Sequence, residues 1–165
     1  MDLHRLTKTD GHWLHSVIAA PADLSNQVRA LEQQSTKRLA ARVVRCRKAS
    51  TKSALFDECA AALQFPLYFG ENWDALNDCL GDLDWLNVEA FVLVIVDAAH
   101  LLTKASVDEV TQLFHILEQA AKRWRQPGGS GKGRPYHVVL HAAPGEEAAL
   151  LNRCKSAGLH PDAMA

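Results

Sequence analysis

The stretch Phe91-Val92-Leu93-Val94-Ile95-Val96 is an unbroken apolar run, and four of its six residues are β-branched. An uninterrupted run of this kind is typical of a strand that is buried on both faces of a parallel sheet. Strands in which only one face is buried show alternating apolar and polar residues instead. The run therefore predicts a fully buried strand at the centre of a parallel sheet.

Segments typical of strands alternate with segments typical of helices on both sides of this run, which predicts an α/β fold with crossover helices. Further strands are predicted over residues 12–18, 41–46 and 136–140, and helices over 22–38, 51–63, 72–80, 106–125 and 146–159. Gly81 follows the third helix, where a left-handed cap is expected, and a short turn is predicted over 82–86. The inward stripe of the longest helix is predicted to begin at Val107.

The length of 165 residues and the apolar content of 48% favour one domain with its own core. Within it we predict a strand-and-helix extension packed on the core at 1–40, a main unit at 41–142, and a peripheral helix and tail at 143–165. No run is long enough to span a membrane, and the first residues lack a signal peptide's apolar stretch, so a cytoplasmic location is expected. The four cysteines contain no C-x-x-C pair, which predicts buried, reduced thiols.

The charge is unevenly distributed along the chain. Between Lys52 and Lys104 there is no lysine or arginine but nine acids, while the remainder carries a formal charge of +8. Such segregation produces a dipolar surface that steers association with a basic partner, although charge runs are more often simply solvated faces.

Three other patterns are weaker. The run Gly128–Gly133 resembles a phosphate loop, but Gln126 replaces the first glycine of the motif and Gly133 replaces the hydroxyl residue, so no nucleotide site is predicted. Two histidine pairs, His12 with His15 and His137 with His141, lack a third ligand, so neither a metal nor a cofactor is expected. The basic run has no interleaved aromatic residues, which argues against direct binding of nucleic acid. It comprises Lys37, Arg38, Arg42, Arg45, Arg47 and Lys48.

The predicted helix over 72–80 carries the strongest functional signal. At 100° per residue, Trp73, Ala75, Leu76, Cys79 and Leu80 face inward, and Glu71, Asp74, Asn77, Asp78 and Asp82 face outward. Each like-charge pair on such a face costs an isolated helix about 0.2 to 0.5 kcal/mol, so stability does not favour the arrangement. A convex row of carboxylates lacks the desolvated cleft that catalysis needs, and therefore predicts a binding surface and no enzyme activity.

The residues Phe65-Pro66-Leu67-Tyr68-Phe69-Gly70-Glu71-Asn72-Trp73-Asp74-Ala75-Leu76-Asn77-Asp78-Cys79-Leu80 resemble the signature of the barstar family of barnase-type ribonuclease inhibitors. The likeness extends in weaker form from about Ala41 to His141. It implies a small parallel sheet packed by helices, with three core strands and here an extra N-terminal edge strand. It also implies inhibition by insertion of the loop and the acidic helix into the enzyme's active site.

The resemblance assigns roles to individual residues. Asp78 matches the carboxylate that occupies the phosphate-binding position of the enzyme, and Asp74 matches its neighbour one turn earlier. Tyr68 matches an aromatic residue that packs on the enzyme, whereas Asn77 and Leu83 replace tryptophans of the best-known member. The partner-binding set implied is Tyr68, Phe69, Gly70, Glu71, Asn72, Asp74, Asn77, Asp78, Asp82 and, more peripherally, Asp108.

The function implied is that of an immunity protein or antitoxin that binds a basic ribonuclease, barnase-like or another bacterial ribonuclease toxin, one to one. Two alternatives stay open. One is a barstar-like adaptor that docks on a basic regulatory protein without blocking catalysis. The other, more remote, is a hydrolase that uses the carboxylates of Asp74 and Asp78.

Overall fold

The computed structural model of the chain describes residues 3–9, 11–35, 38–126 and 133–164. The strands are β1 (Leu14–Ile18), β2 (Leu39–Arg45), β3 (Ala90–Val96), β4 (Tyr136–Ala142) and β5 (Asp162–Ala163). The α-helices are α1 (Pro21–Gln34), α2 (Lys52–Leu63), α3 (Trp73–Asp82), α4 (Val107–Arg125) and α5 (Glu147–Ser156). Short 3-10 helices cover Leu3–Thr7, Cys46–Lys48, Asp84–Leu86 and Ala98–His100. The glycine-rich run up to Lys132, and Lys37 of the basic run, lie outside the described residues.

The five strands form one parallel sheet in the order β2-β3-β4-β1-β5, which confirms the predicted α/β class. Two details of the predicted sheet were wrong. The central strand is β4, not β3, because β1 and β5 add to the far side of β4. The N-terminal strand β1 is not an edge strand either, since β5 pairs with it at His15 and Ser16. A strand of two residues is too short to produce a recognisable pattern in the sequence.

Alternate residues of β3 enter two separate cores on opposite faces of the sheet. Phe91, Leu93 and Ile95 lie in the larger cluster, which also contains buried residues of α2, α3, α4 and α5. Ala90, Val92 and Val94 lie in the smaller cluster, which α1 covers. The period-2 alternation of side chains in a strand explains why an uninterrupted apolar run was required here.

Local signals set most helix ends close to where the sequence predicts them. The side chain of Thr51 caps α2 by accepting from the backbone N–H of Ala54, and Ser106 forms a capping box with Glu109 at the start of α4. The predicted cap at Gly81 was wrong, because α3 continues to Asp82 and Leu83 adopts the left-handed conformation instead. Val107 is 55% exposed and does not belong to the inward stripe, since the first turn of α4 extends beyond the core.

All four cysteines are buried and free, which confirms the prediction of reduced thiols within the core. None of the helices among the described residues has both the length and the apolar character that a membrane crossing requires.

Candidate functional site

An aromatic cluster fixes the loop that leads into α3. Phe69 packs against Phe65 (ring centroids 4.8 Å apart) and edge-on against Phe56 (6.0 Å). Trp73 contacts Phe56 from the first turn of α3, and the indole N–H of Trp85 donates to the carbonyl of Leu63 (3.0 Å). Phe69, predicted as a partner contact, is therefore half-buried and serves mainly to anchor the loop.

Asn72 joins this loop to the helix through both ends of its side chain. Its Oδ1 accepts from the N–H of Ala75 (2.9 Å), which caps α3, and its Nδ2 donates to the carbonyl of Gly70 (3.0 Å). Glu71 lies between them at a φ of 48°, in the left-handed region. These contacts hold the backbone from Gly70 into α3 in one conformation, so the surface that it forms is preformed.

The tip of the loop presents apolar side chains to solvent. Tyr68 is 80% exposed, and Leu67 beside it is fully exposed. Large apolar side chains that project singly are common, but here two adjacent ones stand next to a row of acids. Leu67 was not among the predicted site residues. Its only signal in the sequence is its position between the loop residues Pro66 and Tyr68.

The acidic face consists of the exposed carboxylates of Glu71, Asp74, Asp78 and Asp82. Asp74 and Asp78 are one helical turn apart, a spacing that places their Cβ atoms about 6 Å from each other. Within the described parts of the chain, none of these four carboxylates has a cationic nitrogen within 4.0 Å. The inner face of α3 is as predicted, with Leu76, Cys79 and Leu80 buried.

The remaining acids of the acidic stretch behave differently, because three of them are neutralised internally. Arginines in and around β2 supply the charge, in the pairs Arg38–Glu89 (3.6 Å), Arg45–Glu58 (2.6 Å) and Arg47–Asp97 (2.7 Å). Arg42 likewise pairs with Glu32 (3.6 Å). The four arginines of the basic run are thus engaged in internal ion pairs. Among the described residues, the acids of this stretch without an ion pair are Asp57 on α2 and those on and beside α3.

Asp82 and Asp84 form a close carboxylate pair at the end of α3. Partial burial, followed by the hydrogen bond and the charge of Asp84, raises the pKa of Asp82 above its ordinary value, and the charge of Arg134 opposes the shift. Two adjacent carboxylates share a proton more readily than two isolated ones. This end of the acidic face therefore loses negative charge at a higher pH than a single aspartate would.

Asn77 faces α4 and is half-buried, so it does not belong to the open acidic face. The guanidinium of Arg123 donates to both its backbone carbonyl and its Oδ1, the latter at 3.0 Å. A Cβ atom at Gly81 would overlap that guanidinium. Gly81 therefore provides a notch in α3 through which Arg123 crosses, and this clamp fixes α3 against α4.

Asp108 is exposed in the first turn of α4, where its neighbour Glu109 pairs with Lys52 (3.8 Å). The rise of an α-helix places it about 22 Å along α4 from Arg123. Among the residues described, no ion pair or hydrogen bond connects Asp108 to the acidic face. It stays a separate, peripheral candidate.

The histidines that lie three or four residues apart in the sequence are not the ones that meet in the structure. His15 contacts His137 instead (3.0 Å between ring nitrogens), and His141 bonds to the carbonyl of Ala19 (2.9 Å). No group of three or more potential metal ligands lies together in the described part of the chain.

Comparison with known protein families gives a match over the middle of the chain. The family described as Barstar (barnase inhibitor) matches residues 39–141, which is more than half of the chain. No curated protein matches the sequence.

Two structures of the ORC2 protein of Aeropyrum pernix resemble the fold. The one with ADPNP and ADP has a TM-score of 0.58 at 11% identity, covering 99% of this chain and 43% of that one. The one with ADP has a TM-score of 0.62 at 9% identity, covering 94% and 42%. Identities this low show a shared fold alone, and the present chain spans less than half of either structure.

Proposed function

Because this chain belongs to the barstar family, we propose that it is a cytoplasmic inhibitor of a basic ribonuclease, of the immunity or antitoxin type. It binds the nuclease one to one and fills the cationic active site with the loop at Tyr68 and the acidic face of α3. The observation that carries the proposal is that no acidic-face carboxylate has a cationic nitrogen within 4.0 Å among the described residues, whereas three other acids of the same stretch do.

The chemistry is phosphate mimicry. A site that cleaves RNA is lined with cations that hold phosphate oxygens, and carboxylate oxygens can accept the same charge-assisted hydrogen bonds. Asp78 makes the central contact and Asp74 supports it. The aromatic cluster, the Asn72 cap and the Arg123 clamp hold these carboxylates in place before binding, so little conformational entropy is lost. The proposed contact set is Leu67, Tyr68, Gly70, Glu71, Asn72, Asp74, Asp78 and Asp82, with Asp108 at the periphery.

The energetics of α3 support a role in binding. Asp78 and Asp82 lie toward the C-terminal end of the helix, where the dipole disfavours an acid. Their repulsion and that dipole both destabilise the free protein slightly. A cationic partner relieves both, so these carboxylates favour the complex over the free protein.

The test uses the isosteric variants Asp78→Asn and Asp74→Asn, with Asp23→Asn as a matched control because Asp23 is exposed on α1, outside the proposed contact set. Barnase is the first probe, and a ribonuclease captured on the immobilised chain from native lysate is the second. Loss of a desolvated charge pair is expected to weaken binding by about 2 kcal/mol or more for Asp78→Asn, which is roughly 30-fold in Kd. The control should inhibit RNA cleavage like the wild type.

Salt dependence provides a second readout of the same variants. Exposed charges are screened within about 8 Å at physiological ionic strength, so the on-rate of the wild type should fall with salt more steeply than that of Asp78→Asn. If Asp78→Asn and Asp74→Asn inhibited the captured nuclease as well as the wild type does, phosphate mimicry by α3 would be wrong.

The same experiments separate the alternatives. An adaptor would capture a basic protein whose activity continues in the complex. A carboxylate-dependent hydrolase would show a rise in Tm with calcium, magnesium or manganese, since a ligand of the native state stabilises it. The ORC2 likeness gives no reason to propose nucleotide binding. The connection from β1 to α1 is only Ala19-Ala20, which cannot form the glycine-rich loop that holds phosphates.

A further inference from the structure

A pocket of about 200 Å³ lies among residues of the N-terminal segment and β1, and shares no residue with the proposed nuclease-binding surface. Lys8, Gly11 and His12 are exposed at its mouth, and Arg5 is half-buried. His15 also lines it and is only 1% exposed, so a buried imidazole forms its floor.

A chain of hydrogen bonds through His137 determines which nitrogen of the His15 imidazole carries the proton. The carbonyl of Lys8 can only accept, so Nε2 of His137, 2.8 Å away, must carry a proton. Neutral His137 then has a bare Nδ1, which accepts from Nε2–H of His15 at 3.0 Å. Nδ1 of neutral His15 is consequently an unprotonated lone pair. It has no hydrogen-bond partner among the described residues.

The charges around this nitrogen are mainly positive. Arg5 forms an ion pair with Asp162 on β5, and Nη1 of Arg125, at the end of α4, donates to the carbonyl of Gly11 (2.8 Å). Lys8 has no carboxylate within 4.0 Å in the described part of the chain. Among the described residues, the ionisable groups that act on His15 are Arg5, Arg125 and His137 on the basic side and Asp162 on the acidic side, and Lys8 and His12 line the same pocket.

Burial and these cations keep the free imidazole neutral. Burial, then His137, then Arg5 lower the pKa of His15 to about 4, with a smaller contribution from Arg125, and Asp162 opposes them. Among the described residues, Asp162 is the one acid that acts on His15, and Asp162 is already paired with Arg5, so an anion in the pocket would add further negative charge. It would favour the protonated ring, because an opposite charge at close range stabilises a cation.

We propose that this pocket binds a small oxyanion of the phosphate or sulfate class, and that His15 takes up one proton from solvent as the anion enters. The proton adds to Nδ1, and the new N–H donates to an oxygen of the anion while Nε2–H continues to donate to His137. Lys8 and Arg5 supply the remaining positive charge. The pocket is smaller than the roughly 300 to 1,000 Å³ of typical metabolite sites, which favours a free ion or a small phosphate monoester.

Calorimetric titration with sodium sulfate tests the proposal, with sodium chloride at matched ionic strength as the reference. Sulfate keeps its charge over the range from about pH 7.5 to about pH 5.5, so any pH dependence reports protonation of the protein. Uptake of one proton makes the affinity rise by up to about tenfold per pH unit as the pH falls, and we expect a rise of about threefold or more. Proton uptake itself appears as a dependence of the measured heat on the buffer.

Two lysine variants provide the matched comparison. Lys8→Ala removes the exposed cation at the mouth and should weaken sulfate binding about fivefold or more. That corresponds to about 1 kcal/mol for a partly exposed charge. Lys155→Ala removes an exposed lysine from α5 and should bind as the wild type does. Nitrogen NMR of the imidazoles should show Nδ1 of His15 gaining a proton on saturation.

The identity of the anion follows from two further titrations. Inorganic phosphate binding more tightly than O-phosphoserine indicates a free ion, and the reverse order indicates a phosphate monoester. The proposal is overturned if sulfate shows no saturable binding, if both lysine variants behave alike, or if His15 stays neutral in the saturated protein.

Discussion

Replacement of Gly81 by alanine tests the clamp that positions the acidic helix. In a helix interior alanine is favoured over glycine by about 1 kcal/mol, so a local argument predicts stabilisation. The new methyl group, however, would overlap the guanidinium of Arg123, which must then leave the notch and give up its hydrogen bonds to Asn77. Because Arg123 is exposed and water competes for its donors, those bonds contribute about 1 kcal/mol together, which is less than the roughly 1.5 to 3 kcal/mol of a single hydrogen bond from a charged group. The two effects nearly cancel.

A double-mutant cycle separates them. We expect Gly81→Ala to change the free energy of unfolding by less than about 0.5 kcal/mol in the wild type, and Arg123→Ala to cost about 1 kcal/mol. In the Arg123→Ala background the notch is empty, so Gly81→Ala should stabilise by the full helix-propensity difference of about 1 kcal/mol. The coupling energy between the two positions is then about 1 kcal/mol.

Urea unfolding followed by circular dichroism measures all four proteins. A common m-value would indicate that the substitutions leave the two-state transition unchanged. Equal stabilisation by Gly81→Ala in both backgrounds, within about 0.3 kcal/mol, would refute the clamp, because Arg123 would then not occupy the notch. Loss of the clamp should also weaken the proposed nuclease inhibition, since α3 would hold its carboxylates less rigidly.

Three further predictions concern protonation. Glu58→Gln removes the ion pair of a side chain that is only 9% exposed, and should cost about 1 to 2 kcal/mol near neutral pH. The hydrogen bond from Arg45 lowers the pKa of Glu58, so this stabilisation exists above the unfolded-state pKa and is lost as the pH falls through the lower folded-state pKa. The urea midpoints of the wild type and the variant should therefore converge in acid. A constant difference between the two midpoints would contradict a stabilising Arg45–Glu58 ion pair. The sign is opposite for Asp82, whose raised pKa means that the folded state gains stability as the pH falls through that value. Burial is the largest cause of this raised pKa, so Asp84→Asn should reduce the gain without abolishing it, and should stabilise the protein by about 0.2 to 0.5 kcal/mol near neutral pH. An unchanged pH profile would exclude the carboxylate pair. Burial raises the pKa of Cys59 to about 12, and all four thiols are buried. A thiol-specific disulfide reagent should therefore label the native protein only at the rate of unfolding. Rapid labelling of any cysteine before denaturation would contradict a closed core.

Much of the molecule could be predicted from the sequence because its signals are local. The apolar run of β3, the cap at Ser106 and the cysteines within apolar segments each specify a structure within a few residues. The inner face of α3 also follows from spacing alone, because helical periodicity decides which side chains point inward. The Phe65–Leu80 signature pointed to the family that the main unit matches.

The state of each charged or polar group, in contrast, depends on residues distant in the chain. Only the tertiary structure shows that Glu58, Glu89 and Asp97 are neutralised by arginines while Asp74 and Asp78 are not. It also turns Gly81 from an expected cap into a notch, and brings together two histidines that are 122 residues apart.

The sequence by itself determined the α/β class and most helix limits, because hydrophobic periodicity and helix capping act over one or two turns. It also determined the acidic stretch and the family, because both depend on consecutive residues. What only the tertiary structure decided is the strand order, the free carboxylates and the pocket at His15. Each of these depends on which segments the parallel crossovers place side by side, and pairing across such distances leaves no periodic trace in the sequence.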